Sequence, residues 1–128
     1  MVGQIEILTR GGVYLGKLNP AKHAEIGKVR PVIILNSQLI LDSAPPIIFI
    51  CPLSSQSQKE FSNLHYELNP RDKLKVKSYA LIEHCRSISL NRIVYPRIGQ
   101  LSKSELDNIL NRLQRLVGLC CAPGILGH

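Results

Sequence analysis

Tryptophan is missing from this 128-residue chain, and with 4 Tyr and 2 Phe only 5% of it is aromatic, so a core must rest on Ile, Leu and Val. Acidic residues are also scarce. Nine Asp and Glu face 16 Lys and Arg, a net charge of +7 and a pI near 9.5. A surplus of that size favours an anionic partner: nucleic acid, an anionic membrane surface or an acidic protein. A charged coat for solubility is the competing explanation. No apolar run approaches the roughly 20 residues of a membrane-spanning helix, and the first 12 have no basic head before an apolar stretch. No membrane partner and no secretory signal are therefore expected, and the cytoplasm is the expected compartment. Cys51, Cys85, Cys120 and Cys121 make no CxxC pair and no Cys/His ligand spacing, so reduced thiols and no metal or other cofactor are expected.

What is present suits a single domain spanning 1–128, with a mobile tail expected beyond 119. The 45% hydrophobic content is too high for a disordered chain. Short apolar runs follow one another, separated by turn residues. Gly12–Leu18 reads as a strand, and Pro31–Leu35 and Ile47–Cys51 are continuous and β-branched, as in strands covered on both faces. The paired prolines at 45–46 stop any ladder between them. His65–Leu68 reads as a weaker strand, and Ser78–Ile88 as one long one. This spacing suggests a mainly β fold, a small barrel or curled sheet. From Leu106 the period changes: Leu106, Ile109, Leu110, Leu113, Leu116 and Val117 form one helical stripe. Ser102 and Glu105 before it spell a capping box, predicting an amphipathic helix over about 102–118. Gly118, or the Ala-Pro-Gly at 122–124, ends it.

Three segments carry polar chemistry. The stretch 18–31 is a loop bearing Lys22, His23, Glu25 and Lys28 that ends in Arg30. Pro31 holds Arg30 extended at a strand start. Ser54, Ser55 and Gln56 follow the buried run of Cys51. In the third segment, Glu83, His84 and Arg86, strand alternation puts 82, 84 and 86 on one face, so that His84 and Arg86 would meet one anion together. Taken singly, each has a bland explanation as a solvated loop or strand face.

Their order is more specific. RGGVYLGKLNP (10–20), E-x-x-x-V-R-P (25–31), CPLSSQ (51–56), SYALIEHCRSI (78–88) and RIGQLSKSEL (97–106) together resemble the MazF/PemK family of ribonuclease toxins, over roughly Thr9 to Leu119. The resemblance implies an SH3-like small barrel with a C-terminal helix, a homodimer, and metal-independent cleavage of single-stranded RNA or mRNA at short sequence motifs. It also implies inhibition by an antitoxin with an acidic tail. The family's catalytic arginine falls on Arg30 and its catalytic threonine on Ser54. Serine keeps the hydroxyl but loses the β-branch that fixes χ1, which leaves open lowered activity or a transfer of the role to Ser55. Gly12 stands where the family has an acidic residue, and His84 where it has glutamine.

Such cleavage uses the RNA's 2′-hydroxyl as nucleophile, giving a 2′,3′-cyclic phosphate and a 5′-hydroxyl. Arg30 suits the developing charge on phosphorus, and Ser54 a second hydrogen bond to the phosphate. Glu25 and His84 are candidate proton carriers, with His23 and Glu83 as further ones. Lys22, His23, Lys28, Ser55, Gln56, Glu83 and Arg86 are the expected RNA-binding set. Two rivals stand beside this: a degenerate member that binds RNA or antitoxin without cutting, and a gyrase poison related to CcdB.

Overall fold

The structure is a computed structural model that describes residues 6–25, 27–57 and 59–118. Among the described residues, seven strands make one antiparallel, curled sheet. They are β1 (Gly12–Lys17), β2 (Val29–Ile34), β3 (Ile47–Ser54), β4 (Tyr66–Leu68), β5 (Ser78–Ala80), β6 (Arg86–Ser89) and β7 (Ile93–Gln100). Helix α1 (Gln38–Asp42) links β2 to β3, and α2 (Lys103–Leu116) follows β7. The order across the sheet is β4-β5-β3-β2-β1-β7, with β6 also pairing with β3. Strand β3 is the branch point: its first half pairs with β6 (Ile47 opposite Ser89, Ile50 opposite Arg86) and its end with β5 (Leu53 opposite Ala80).

The apolar runs are continuous because both sheet faces are covered. Ile33, Cys51 and Leu53 point to one side and join Val13, Ala80, Leu106 and Ile109 in a core beneath α2. Their chain neighbours Val32, Ile34 and Ile50 point to the other and join Tyr14, Leu41, Ile48, Ile88 and Ile93. Alternation is thus present but invisible as a polar–apolar pattern. Helix α2 begins as the sequence predicts. Ser102 Oγ accepts the Glu105 N–H (3.1 Å) and Glu105 Oε1 accepts the Ser102 N–H (2.9 Å). Arg71 grips that carboxylate with both terminal nitrogens, Nη1 to Oε1 and Nη2 to Oε2 (2.7 Å), tying the β4–β5 loop to the helix start. Arg71 holds the Glu105 carboxyl below its ordinary range. Leu106 and Ile109 are buried and Leu110 and Leu113 partly so, while Leu116 and Val117 are exposed. The helix closes on Gly118, whose φ of +85° suits glycine. The second stop at 122–124 and the expected mobile tail lie outside the described residues.

One expectation needs correction, and two elements give no signal in the sequence. The long strand Ser78–Ile88 is two strands, because residues 82–84 form a 3₁₀ turn. Between the β5 and β6 pairings the chain has more residues than β3 offers partners, and the surplus is taken up in that turn. Leu81 N–H still reaches Pro52 O (2.9 Å), while His84 N–H turns back to Leu81 O (2.9 Å). The strand alternation invoked for residues 82, 84 and 86 therefore fails. Strand β7 gives no signal because Pro96 interrupts its pattern; Pro96 lies on an edge strand, in the stretch where the register against β1 shifts, so its missing N–H costs little. Helix α1 gives none either; it is a single short turn capped by Ser37.

Candidate active site

The loop from Leu18 to Lys28 is closed at its base, Leu18 N–H to Lys28 O (2.9 Å) and Lys28 N–H to Asn19 Oδ1 (2.8 Å). Arg92 clamps the outgoing chain through Nη1 to the carbonyls of Lys17 (3.0 Å) and Asn19 (2.6 Å). Lys28 takes a φ of +68° and His23 one of +54°, conformations that cost non-glycine residues about 1–3 kcal/mol each. At Lys28 the two closing hydrogen bonds offset that cost. They leave Gly27 O in reach of Arg30 Nε at 2.9 Å. Arg30 is thus anchored through one nitrogen, and among the described residues its terminal nitrogens have no hydrogen-bond partner.

Arg30 and Ser54 line the same open cavity, about 280 Å³ in volume, together with Lys28, Pro31, Ser55 and Ser78. Antiparallel pairing of β2 with β3 sets this up, because the entry of one strand lies beside the exit of the other (Val32 opposite Pro52). Its charged residues are both cations, Lys28 and Arg30, and no carboxylate lines it. Val29 and Val76, each more than half exposed, give its lip two apolar surfaces. Ser54 Oγ accepts the Gln56 N–H at 3.1 Å, which orients the hydroxyl without using its proton.

A second cavity, about 160 Å³, is lined by Glu25, Pro52, Glu83, His84, Cys85 and Arg86. A third, about 240 Å³, shares Glu83 and His84 and adds Ala24, Glu60 and Phe61. His84 and Arg86 do reach one cavity, but as part of a turn that also brings Glu83 and Cys85 there. Glu25 is exposed, and its Oε1 accepts the Lys22 N–H (2.8 Å). Arg86 carries a fully buried Nη1 with no hydrogen-bond partner among the described residues, a cationic donor without an acceptor there. The exposed Lys22 and His23 and the side chain of Gln56 line none of these cavities.

Two residues at this site are absent from the sequence reading, His65 as a site residue and Ser57. His65 is buried, with Nδ1 2.8 Å from Ser57 Oγ and Nε2 2.8 and 2.9 Å from the two Glu83 oxygens. A lone histidine before a weak strand gives no signal of such a pair. Cys51 lies in the core, where burial pushes its thiol well above the ordinary range, with the neighbouring Cys85 and Glu83 adding to the effect. Among the described residues no group of three or more His, Cys, Asp or Glu is placed to hold a metal ion. Gly12, where an acidic residue is the family expectation, has no room for a side chain. A Cβ there would lie 2.9 Å from Thr9 O and from the Tyr14 ring, and 3.1 Å from Arg97 Cδ.

Residues 9–117 match the family model described as the PemK-like, MazF-like toxin of type II toxin–antitoxin systems. The chain belongs to that toxin family. A curated relative, Endoribonuclease MazF of Staphylococcus saprophyticus, is 27% identical over 114 residues, 88% of this chain and 93% of that one. Among solved structures, MazF from Deinococcus radiodurans superposes with a TM-score of 0.72 at 20% identity, covering 90% of this chain and 100% of that one. A MazE–MazF structure from the same organism matches with a TM-score of 0.70 at 15% identity, over 91% of this toxin and 100% of that chain. The fold is therefore the MazF-like one: a curled antiparallel sheet, half of a barrel, with a C-terminal helix.

Proposed function

We propose that this toxin is an endoribonuclease that cuts single-stranded RNA, mRNA included, at short sequence motifs by attack of the substrate's own 2′-hydroxyl. The observation that carries this reading is the meeting of Arg30 and Ser54, from different strand ends, on one open cationic cavity. The scissile phosphate lies there. Arg30, held by Gly27 O, directs its free nitrogens at the phosphoryl oxygens, where charge grows in the transition state. Ser54, or Ser55 beside it, donates a hydroxyl hydrogen bond to the same group. Such donors act without reorganising, which is their advantage over water.

Proton transfer falls to the second cavity, where Glu25 and His84 stand with Glu83. One group accepts the 2′-hydroxyl proton and another protonates the leaving 5′-oxygen, so the substrate's own hydroxyl takes the place of a metal-bound water. Lys28 and Arg86 contact the RNA backbone. The partnerless Arg86 Nη1 supports an anion in its cavity, an RNA phosphate or a carboxylate of an acidic antitoxin. Lys22 and His23, exposed on the loop, supply further contacts to a chain longer than the cavities. The unstacked bases rest against Val29 and Val76. The toxin works as a homodimer in the cytoplasm. The exposed Ile47 and Tyr95, around an apolar depression of about 540 Å³ with Leu90 and Ile93, support a self-association face. Among the described residues no helix is long and apolar enough to cross a membrane.

The test is digestion of a long single-stranded RNA in EDTA, with the ends mapped. Discrete cuts that leave 5′-hydroxyls and vanish in Arg30→Ala are expected. Binding without cuts would leave a degenerate toxin, and intact RNA with stalled gyrase would replace the nuclease reading by the poison.

A further inference from the structure

We propose that His65 is a positioning residue of the RNA-cleaving site, coupling the loop after Ser54 to the turn that carries Glu83 and His84. The proposal rests on the nuclease reading above. The His65 side chain is only 1% exposed, and both ring nitrogens are engaged. A carboxylate only accepts, so Nε2 carries a hydrogen toward Glu83. In the neutral ring Nδ1 is then the acceptor, and the Ser57 hydroxyl donates to it. The chain runs one way: Ser57 O–H to His65, His65 N–H to Glu83. A ring fixed at both ends holds one tautomer and one orientation.

One end lies on the segment that follows Ser54, and the other is a residue of the second cavity. Ser57 is three residues after Ser54, whose Oγ is itself held by the Gln56 N–H. Glu83 lines both the second and the third cavities, and its Oε2 lies 3.9 Å from His84 Nε2. Without His65, Glu83 loses its close partner and is free to move onto His84. Ser57, exposed on its loop, loses the one side-chain tie it has among the described residues. The Ser54 hydroxyl and the 83–84 pair would then drift relative to each other. Misplacements of about 1 Å in a reacting site can cost on the order of 100-fold in rate.

Three variants of the full chain test this: His65→Ala, His65→Gln and Ser57→Ala. Each is assayed for single-turnover cleavage of single-stranded RNA and for amide hydrogen exchange at residues 55–57. His65→Ala is expected to lower the rate at saturating RNA on the order of 10- to 100-fold, with a much smaller change in KM. Exchange at 55–57 accelerates in the same variant. His65→Gln, whose amide nitrogen reaches about where Nε2 sits, restores most of the rate. Ser57→Ala, which keeps the His65–Glu83 pair, accelerates exchange and lowers the rate less. Should His65→Ala fail to fold, the other two variants carry the test. A folded His65→Ala, or in its absence Ser57→Ala, that cuts and exchanges like the wild type overturns the proposal. So does a loss of cleavage that glutamine does not restore while 55–57 exchange as in the wild type. A wild-type protein that leaves RNA intact rejects the nuclease reading instead, and with it this role of His65.

Discussion

Replacing Arg30 by lysine keeps the positive charge and removes the fork, which separates two ways an arginine can act. In this structure the guanidinium uses one nitrogen and leaves two: Nε donates to Gly27 O at 2.9 Å, and the terminal pair of this cavity-lining residue has no other bond among the described residues. A lysine ammonium is one point. It either replaces the anchor and leaves the phosphate, or meets the phosphate without an anchor. Losing one preorganised donor to a developing oxyanion costs about 2.7–4 kcal/mol, or roughly 100- to 1,000-fold in kcat. The anchoring bond itself is worth about 0.5–1.5 kcal/mol of stability, so the variant stays folded.

Arg30→Lys is thus expected to bind RNA nearly as tightly as the wild type, because long-range attraction depends on charge. It should cleave about 100-fold more slowly or worse. Arg30→Ala should lose as much rate and also bind more weakly. Single-turnover cleavage with enzyme in excess, together with filter binding at fixed salt, gives both quantities. Cleavage by Arg30→Lys within about tenfold of the wild type, a difference of about 1.4 kcal/mol, would contradict a geometric role for Arg30. Arg30 would then be acting as a charge, and its anchored geometry would be irrelevant.

Ser54→Ala should lower cleavage at least about tenfold while Ser54→Thr keeps it, and a dominant loss in Ser55→Ala, read in the same assay, would transfer the role. Glu105→Gln should destabilise the fold at neutral pH. Because Arg71 depresses the Glu105 carboxyl, that contribution is present above the unfolded value of about 4.3 and fades as pH falls through the lower folded value. Urea melts of both proteins should therefore converge at strongly acid pH. Arg86→Met removes a buried nitrogen that lacks a partner, so it should leave the free protein as stable or more stable while weakening RNA binding. Its slope of log affinity against log salt should flatten by about one charge, and a melt showing marked destabilisation would contradict the assignment of Arg86 as an orphaned donor.

Features of the fold that rest on local physics are readable from the chain. The capping box at Ser102 and Glu105, the stripe from Leu106 to Leu113 and the β-branched runs at 31–35 and 47–51 each declare themselves within a few residues. What escapes is set by long-range pairing. Nothing local says that one edge of β3 must serve both β5 and β6, and only that demand breaks 78–88 into strand, turn and strand. Pro96 argues against a strand wherever a ladder bond is required, and its place in the irregular stretch of an edge strand, where the register against β1 shifts, removes the objection. Gly12 shows the opposite relation. Read as a missing carboxylate it is a gap in chemistry, but the crowding by Thr9, Tyr14 and Arg97 makes it a requirement of packing.

The site divides along the same line. Arg30 is marked by the proline behind it and Ser54 by the buried run before it, and the antiparallel neighbours β2 and β3 bring those two strand ends together. His65 has no such marker: it is 18 residues from Glu83 and 8 from Ser57, and its burial depends on a turn the strand pattern conceals. The separation also explains the distribution of charge. Among the described residues, the charged groups lining the Arg30 cavity are both cations, whereas Glu25 and Glu83 line the second cavity, around the turn. A carboxylate beside Arg30 would compete with phosphate for its terminal nitrogens. On the proposed nuclease reading, keeping Glu83 on His65 leaves those nitrogens to the substrate.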